Sequence, residues 1–261
     1  MTRKSKVLVT GASSGIGAMY ADRFAARGHD LVLVARNAER LDRVGDRLRT
    51  VHGVGAELVQ ADLANAEALN RVADRIAVDE QIGILVNNAG IAVSGTFAEQ
   101  AQDDLAQLVA INVGAVTLLA QAAARRFAKA GEGAIINVSS VVGLIPEFGQ
   151  AAYAASKAFV TTLSQAMAIE LSGKGVYVQG VLPAATSTEI WARSGANPAS
   201  LPPMMEVGVL VDAALVGFDR RETITIPVLP DGGQWEAYQD ARKAMLPSFG
   251  GVSAADRYST A

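Results

Sequence analysis

The chain has 261 residues, half of them hydrophobic and 19% charged, with a formal net charge of −3. That is enough apolar sequence to bury one sizeable α/β core, and the slight acidity argues against a nucleic-acid partner held by phosphate contacts. Cysteine is absent and only two histidines occur, His29 and His52, which excludes disulfides, thiolate nucleophiles and a Cys- or His-rich metal site.

Residues 1–6 are basic and lead into Val7-Leu8-Val9, but Thr10-Gly11 ends the apolar run too early for a signal peptide. No stretch approaches the ~20 apolar residues of a membrane span. The expectation is a soluble, cytoplasmic protein with no membrane and no nucleic-acid partner.

Strand and helix patterns then alternate. Lys6–Thr10 reads as a strand and residues 15–27 as a helix stopped at Gly28. Leu31–Ala35 is a branched apolar run, as in a strand buried on both faces. Leu41, Val44, Leu48 and Val51 recur on one helical face. Residues 57–61, 84–87, 134–139, 176–181 and 223–226 are further strands, and helices fill most gaps. This rhythm predicts a single-domain Rossmann-type α/β fold over residues 1–261: a doubly wound parallel sheet of about seven strands with helices on both faces. Residues 186–206, rich in Ser, Thr, Ala and Pro and carrying Trp191 and Met204-Met205, read as a substrate lid. Residues 246–261 read as a polar tail.

Between the first strand and the first helix lies Thr10-Gly11-Ala12-Ser13-Ser14-Gly15-Ile16-Gly17. Glycines at 11, 15 and 17 let the backbone turn sharply and approach a ligand, and the helix N-terminus behind them suits a phosphate. The alternative is a glycine-rich turn with no ligand. The same letters spell G-x-S-x-G, but both histidines precede residue 53, so the acid-then-histidine order of a hydrolase is missing. No Gly-Lys-Ser/Thr closes a P-loop.

After the second strand comes Ala35-Arg36-Asn37, with no acid to take a ribose 2′-hydroxyl. Arg36 is the candidate for a 2′-phosphate, with Ser13 as a donor and Arg40 one helical turn on. The competing reading is that Arg36 merely opens a solvated helix. Asp62, with Leu63 beside it, follows the third strand and suits the adenine amino group; a turn or cap role is the alternative.

Tyr153 and Lys157 are four apart and share a helical face. An ammonium favours a phenolate, which makes the pair a sensible proton donor and acceptor, although such spacing is common by itself. Here Ser140 lies thirteen residues upstream, with Asn87-Asn88-Ala89-Gly90 and Asn112 before it. This ordered set resembles the short-chain dehydrogenase/reductase family, in its branch of about 250 residues, from Lys6 to Thr188.

The resemblance implies a hydride transfer between NADP(H), preferred over NAD(H), and a carbonyl or alcohol carbon of a small molecule, with no metal. In it Tyr153 is the general acid or base and Ser140 holds the substrate oxygen. Lys157 tunes Tyr153 and binds the nicotinamide ribose, and Asn112 distorts its helix and positions a water. Asn88, Ala89 and Gly90 line the cofactor with Ser14 and Ile16 of the turn, and Pro183 and Thr188 lie at its nicotinamide end. One departure is Pro183-Ala184, where the family usually has Pro-Gly.

The helices over 112–128 and 151–172 are rich in Ala and other small residues, which allows close helix pairing. The resemblance implies a homodimer or homotetramer through them, and the alternative is that these faces are buried within the monomer. The alternatives are a non-catalytic NADP(H)-binding redox sensor and, within the enzymes, a 3-ketoacyl-thioester reductase; an epimerase or dehydratase is disfavoured by the turn's spacing.

Overall fold

The computed structural model describes residues 4–188 and 203–258. Seven parallel strands form one sheet: β1 (Lys6–Thr10), β2 (Leu31–Ala35), β3 (Ala56–Gln60), β4 (Ile82–Asn87), β5 (Gly133–Val138), β6 (Val176–Val181) and β7 (Ile224–Thr225). Their order is β3-β2-β1-β4-β5-β6-β7. Strand order therefore reverses between β1 and β4, and a doubly wound sheet opens its ligand crevice at such a switch point, beyond the carboxyl ends of the strands.

The helices are α1 (Gly15–Ala26), α2 (Ala38–His52), α3 (Ala66–Val78), α4 (Gln102–Val109), α5 (Val116–Ala130), α6 (Ala151–Leu171), α7 (Val207–Asp219) and α8 (Gly232–Lys243). Alternation along the strands sorts two cores. Val7 and Val9 of β1 face one side with Tyr20 and Phe24 of α1, Leu41 and Leu48 of α2, and Leu210 of α7. Leu8 faces the other with Val72 and Ile76 of α3, Leu119 and Phe127 of α5, and Met167 and Leu171 of α6. Each such fully buried side chain contributes roughly 1.5–3 kcal/mol.

Strands β1, β2 and β6 have the bounds expected from sequence. Strand β4 begins two residues before the expected start, across Gly83, whose missing side chain hid the strand; a Cβ there would lie 2.5 Å from that of Ser5. Strand β5 stops at Val138, so Ser139 and Ser140 lie beyond its end.

The reading that no stretch approaches a membrane span needs correction. Residues 102–130 run as one helical stretch, long and apolar enough to cross a membrane by length and composition. Its buried face, from Leu108 and Ile111 to Phe127, belongs to the protein interior.

The chain divides into two compact units, Met1–Pro227 and Val228–Ala261. The sheet and the site residues named above all lie in the first. In the second, α8 occupies a stretch to which the sequence reading assigns no element. Asp231 caps it by accepting from the Gly233 N–H at 2.9 Å, and the glycine pair masks its start.

Candidate active site

Four loops at the carboxyl ends of β1, β4, β5 and β6 bring the expected residues together. Gly11 and Gly15 of the first loop have φ of +65° and +54°, in the left-handed region that favours glycine. A Cβ at Gly11 would lie 2.8 Å from the Asn88 amide nitrogen, and one at Gly17 would strike the same nitrogen and the Gly11 carbonyl. The absent side chains thus let the turn pack directly against the loop after β4 and leave its backbone free of side-chain cover. Ser14 is the N-cap of α1 and makes no side-chain cap bond, whereas Asn37 and Asn65 cap α2 and α3. Turn and helix end together fit a dinucleotide's phosphates. Ile16 packs partly against the core, and Ser13 is partly exposed.

Thr10, overlooked as a site residue in the sequence, ties this loop to the next. Its hydroxyl accepts from the N–H groups of Asn88 and Ala89, both at 3.0 Å, and donates to the Val86 carbonyl. The Asn88 side chain returns a bond to the Thr10 carbonyl at 3.0 Å. The available signal was a hydroxyl at the last position of an otherwise apolar strand.

Arg36 is exposed directly after β2, and Asn37 behind it caps α2 by accepting from the Arg40 N–H at 2.9 Å. Asp62 is exposed and accepts from the Ala64 N–H at 3.0 Å, the turn role weighed from sequence. Leu63 buries its side chain in the core, so only its backbone is available to a ligand.

The catalytic candidates converge beyond β4 and β5. The stretch 102–130 is interrupted by a π-helical segment, Ala110–Ala115, with Asn112 inside it. An extra residue per turn swings the Asn112 amide out of register, where it grips Ile91 with both ends: Oδ1 accepts from the Ile91 N–H and Nδ2 donates to its carbonyl, each at 2.9 Å. Asn112 is 1% exposed. Gly90 sits beside it; a Cβ there would lie 3.3 Å from Asn112 Oδ1 and 3.5 Å from Lys157 Nζ.

Ser140 lies just past β5, and Ser139 points the other way, as alternation requires. Ser139 donates to the Lys157 carbonyl at 2.6 Å and bonds the Thr161 hydroxyl at 2.8 Å, fastening α6 to the strand end. Ser140 donates to the Pro183 carbonyl at 3.2 Å and accepts from the Val142 N–H. Gly149 and Gln150, with φ of 74° and 56°, turn the chain into α6.

Burial pushes the Tyr153 phenol up to about 12, and the neighbouring Ser140 hydroxyl pulls the other way. Lys157, 5% exposed, is pushed down by burial to about 8. Its ammonium donates to the Val138 carbonyl at 3.0 Å and stands 5.6 Å from the Tyr153 ring centroid. The expected lowering of the phenol by the Lys157 ammonium is not met: burial dominates and holds Tyr153 protonated.

Ala184 occupies ordinary backbone, since among the described residues only Gln150 and Arg221 are non-glycines with positive φ. Alanine there imposes no strain. Thr188 reaches back over the glycine turn, its methyl group 3.3 Å from where a Gly15 Cβ would lie. Of the expected lid, Thr186 and Met205 form a parallel bridge, with Ser187 donating to the Met205 carbonyl at 3.0 Å, and Met205 packs on the core. Residues 189–202, with Trp191, lie outside the described residues.

The fold and the convergence of four strand-end loops define a Rossmann-type α/β protein. The chain belongs to the short-chain dehydrogenase family, whose model matches residues 5–199. A short-chain dehydrogenase from Sphingobium yanoikuyae, solved in complex with NADPH, is 54% identical with a TM-score of 0.96, covering 98% of this chain and all of that one. The bulky-bulky ketone specific alcohol dehydrogenase from Comamonas testosteroni is 47% identical with a TM-score of 0.92, covering 99% and 100%. The inactive hydroxysteroid dehydrogenase-like protein 1 of Homo sapiens is 30% identical over 189 residues, 72% of this chain; the match spans 57% of that relative's length.

Proposed function

We propose that the chain is an NADP(H)-dependent oxidoreductase that interconverts a ketone and a secondary alcohol, with bulky apolar ketones as its substrate class. The observation that carries this is the meeting of Tyr153 with buried Lys157, whose ammonium stands 5.6 Å from the phenol ring centroid and is anchored on the strand that delivers buried Ser140. The bound nicotinamide supplies or takes up the hydride. Gly11, Ser13, Ser14, Gly15, Ile16 and Gly17 hold its phosphates, Arg36 pairs with the 2′-phosphate, and Asp62 meets the adenine amino group with Leu63's backbone beside it. Asn88, Ala89, Gly90, Pro183 and Thr188 line the remainder.

Ser140 orients the carbonyl oxygen, and Tyr153 gives it a proton as negative charge develops there. Lys157 holds the ribose hydroxyls and supplies positive charge behind the phenol, and Asn112 fixes the Gly90–Ile91 turn against it. The loop joining Ser140 to Tyr153 carries Leu144, Ile145, Pro146 and Phe148, and Phe148 and Ile145 remain 62% and 42% exposed. Such apolar surface beside a polar pair suits a ketone flanked by large groups, and the Comamonas relative's specificity agrees in kind.

The chain acts as a homodimer or homotetramer through α5 and α6, which leave Leu118, Phe159 and Ile169 exposed. The test is NADPH and NADH oxidation over a panel of ketones and acyl thioesters. Turnover of bulky ketones with NADPH supports the proposal. Tight NADPH binding with no turnover favours a non-catalytic sensor, a reading to which the inactive human relative gives weight.

A further inference from the structure

Tyr153, Asn112 and the Gly90–Ile91 turn come from three separate segments, and one buried hydroxyl joins them. Ser156 is 4% exposed and lies one turn after Tyr153 on α6. Its Oγ donates to the Tyr153 carbonyl at 2.7 Å. It also accepts from Asn112 Nδ2 at 3.1 Å.

The polarity of this chain of bonds is fixed. A carbonyl only accepts, so the Ser156 proton points at Tyr153; Ser156 then has only lone pairs to offer Asn112. The Asn112 amide has two N–H groups, and both are used, one on Ser156 and one on the Ile91 carbonyl. Its oxygen takes the Ile91 N–H. Flipping the amide would set like against like at both partners, so Ser156 and Ile91 together hold Asn112 in one orientation. A serine bonding the carbonyl three residues back also biases its own helical turn, here the turn between Tyr153 and Lys157.

We infer that Ser156 is a positioning residue that couples the π-helical segment at Asn112 to the catalytic turn of α6, setting where the Tyr153 phenol stands. This rests on the proposed catalytic role of Tyr153. Ser156 reaches no reacting atom itself; it acts through the Tyr153 backbone and the Asn112 amide. Nothing in the sequence distinguishes it from a small helix residue beside Lys157. Only the burial and the two bonds do.

The experiment compares wild type, Ser156→Ala, Ser156→Thr and Tyr153→Phe in the full chain. Four quantities are read: kcat and KM on the ketone turned over by wild type, NADPH affinity by fluorescence titration, and phenolate formation by ultraviolet difference absorbance. The last is taken against Tyr153→Phe to isolate Tyr153, and needs no substrate. For Ser156→Ala the expected result is a fall in kcat of about tenfold, with KM and NADPH affinity within about twofold and a displaced Tyr153 titration. Ser156→Thr keeps the hydroxyl and is expected to restore both kcat and the titration.

An unchanged Tyr153 titration in Ser156→Ala overturns the inference, whether or not a substrate has been found. So does a threonine variant as impaired as the alanine one, since packing would then explain the loss. Absence of turnover in wild type counts against the proposed reaction alone, because the titration still decides the role of Ser156.

Discussion

At the scale of single residues, the site turns on two buried titratable groups shifted in opposite directions. Lys157 titrates near 8 where an unfolded chain would titrate at 10.5. Between those values the unfolded state binds more protons, so stability rises with pH across that window, and below about 8 the full cost of the buried ammonium is present. That cost is roughly 3 kcal/mol. Lys157→Met is therefore expected to raise the melting temperature of nucleotide-free protein at pH 7, partly offset by the stranded Val138 carbonyl. The gain should shrink from pH 8 to 10.5 while catalysis is lost. A melting temperature lowered at pH 7 would contradict this. Because Tyr153 stays protonated to about 12, ketone reduction should decline as pH rises through about 8, following Lys157; a rate flat to pH 10 would argue against that assignment. Arg36→Leu is expected to cut the NADPH-over-NADH preference by 10- to 100-fold, the value of a charge-assisted pair of about 1.4–3 kcal/mol. Equal losses for both nucleotides would remove Arg36 from the 2′-phosphate.

Secondary-structure elements explain which signals reached the sequence. Asn37 caps α2 next to Arg36, so Asn37→Ala should cost about 1 kcal/mol in denaturant unfolding and leave the nucleotide preference unchanged. A changed preference would mean that Arg36 depends on the cap for its placement. Strands buried on both faces, such as β2, are legible because every position is apolar. The glycine turn, Ser140, Tyr153 and Lys157 are legible because fixed spacing on a strand end or a helix face is local. What escaped sequence reading is non-local or masked by glycine. Thr10 and Ser156 show their roles only when β1 meets β4 and α6 meets the π-helical segment. Gly83 and the Gly232-Gly233 pair carry no side chain to reveal β4's start or α8. The resemblance carries the helix distortion at Asn112, but the sequence reading begins that helix at residue 112, where the stretch in fact begins at Gln102.

For the molecule as a whole, the strand order places the crevice between β1 and β4, and every catalytic candidate is delivered to one end of the sheet. The opposite end carries none of them. The exposed apolar side chains on α5 and α6 are the surface a second copy would cover, so Ile169→Glu, at a site 77% exposed, is expected to lower the mass seen by light scattering toward a monomer with the fold retained. A mass unchanged from wild type would move the interface elsewhere.

The most direct test of the central claim is NADPH-dependent reduction of a bulky diaryl or branched ketone by wild type and by Tyr153→Phe, read from nicotinamide absorbance, with NADPH affinity measured in parallel. The account predicts turnover in wild type, a loss of at least about a thousandfold in Tyr153→Phe, and NADPH affinity within about twofold. Undiminished turnover in Tyr153→Phe would contradict the assignment of the proton donor and the mechanism built on it.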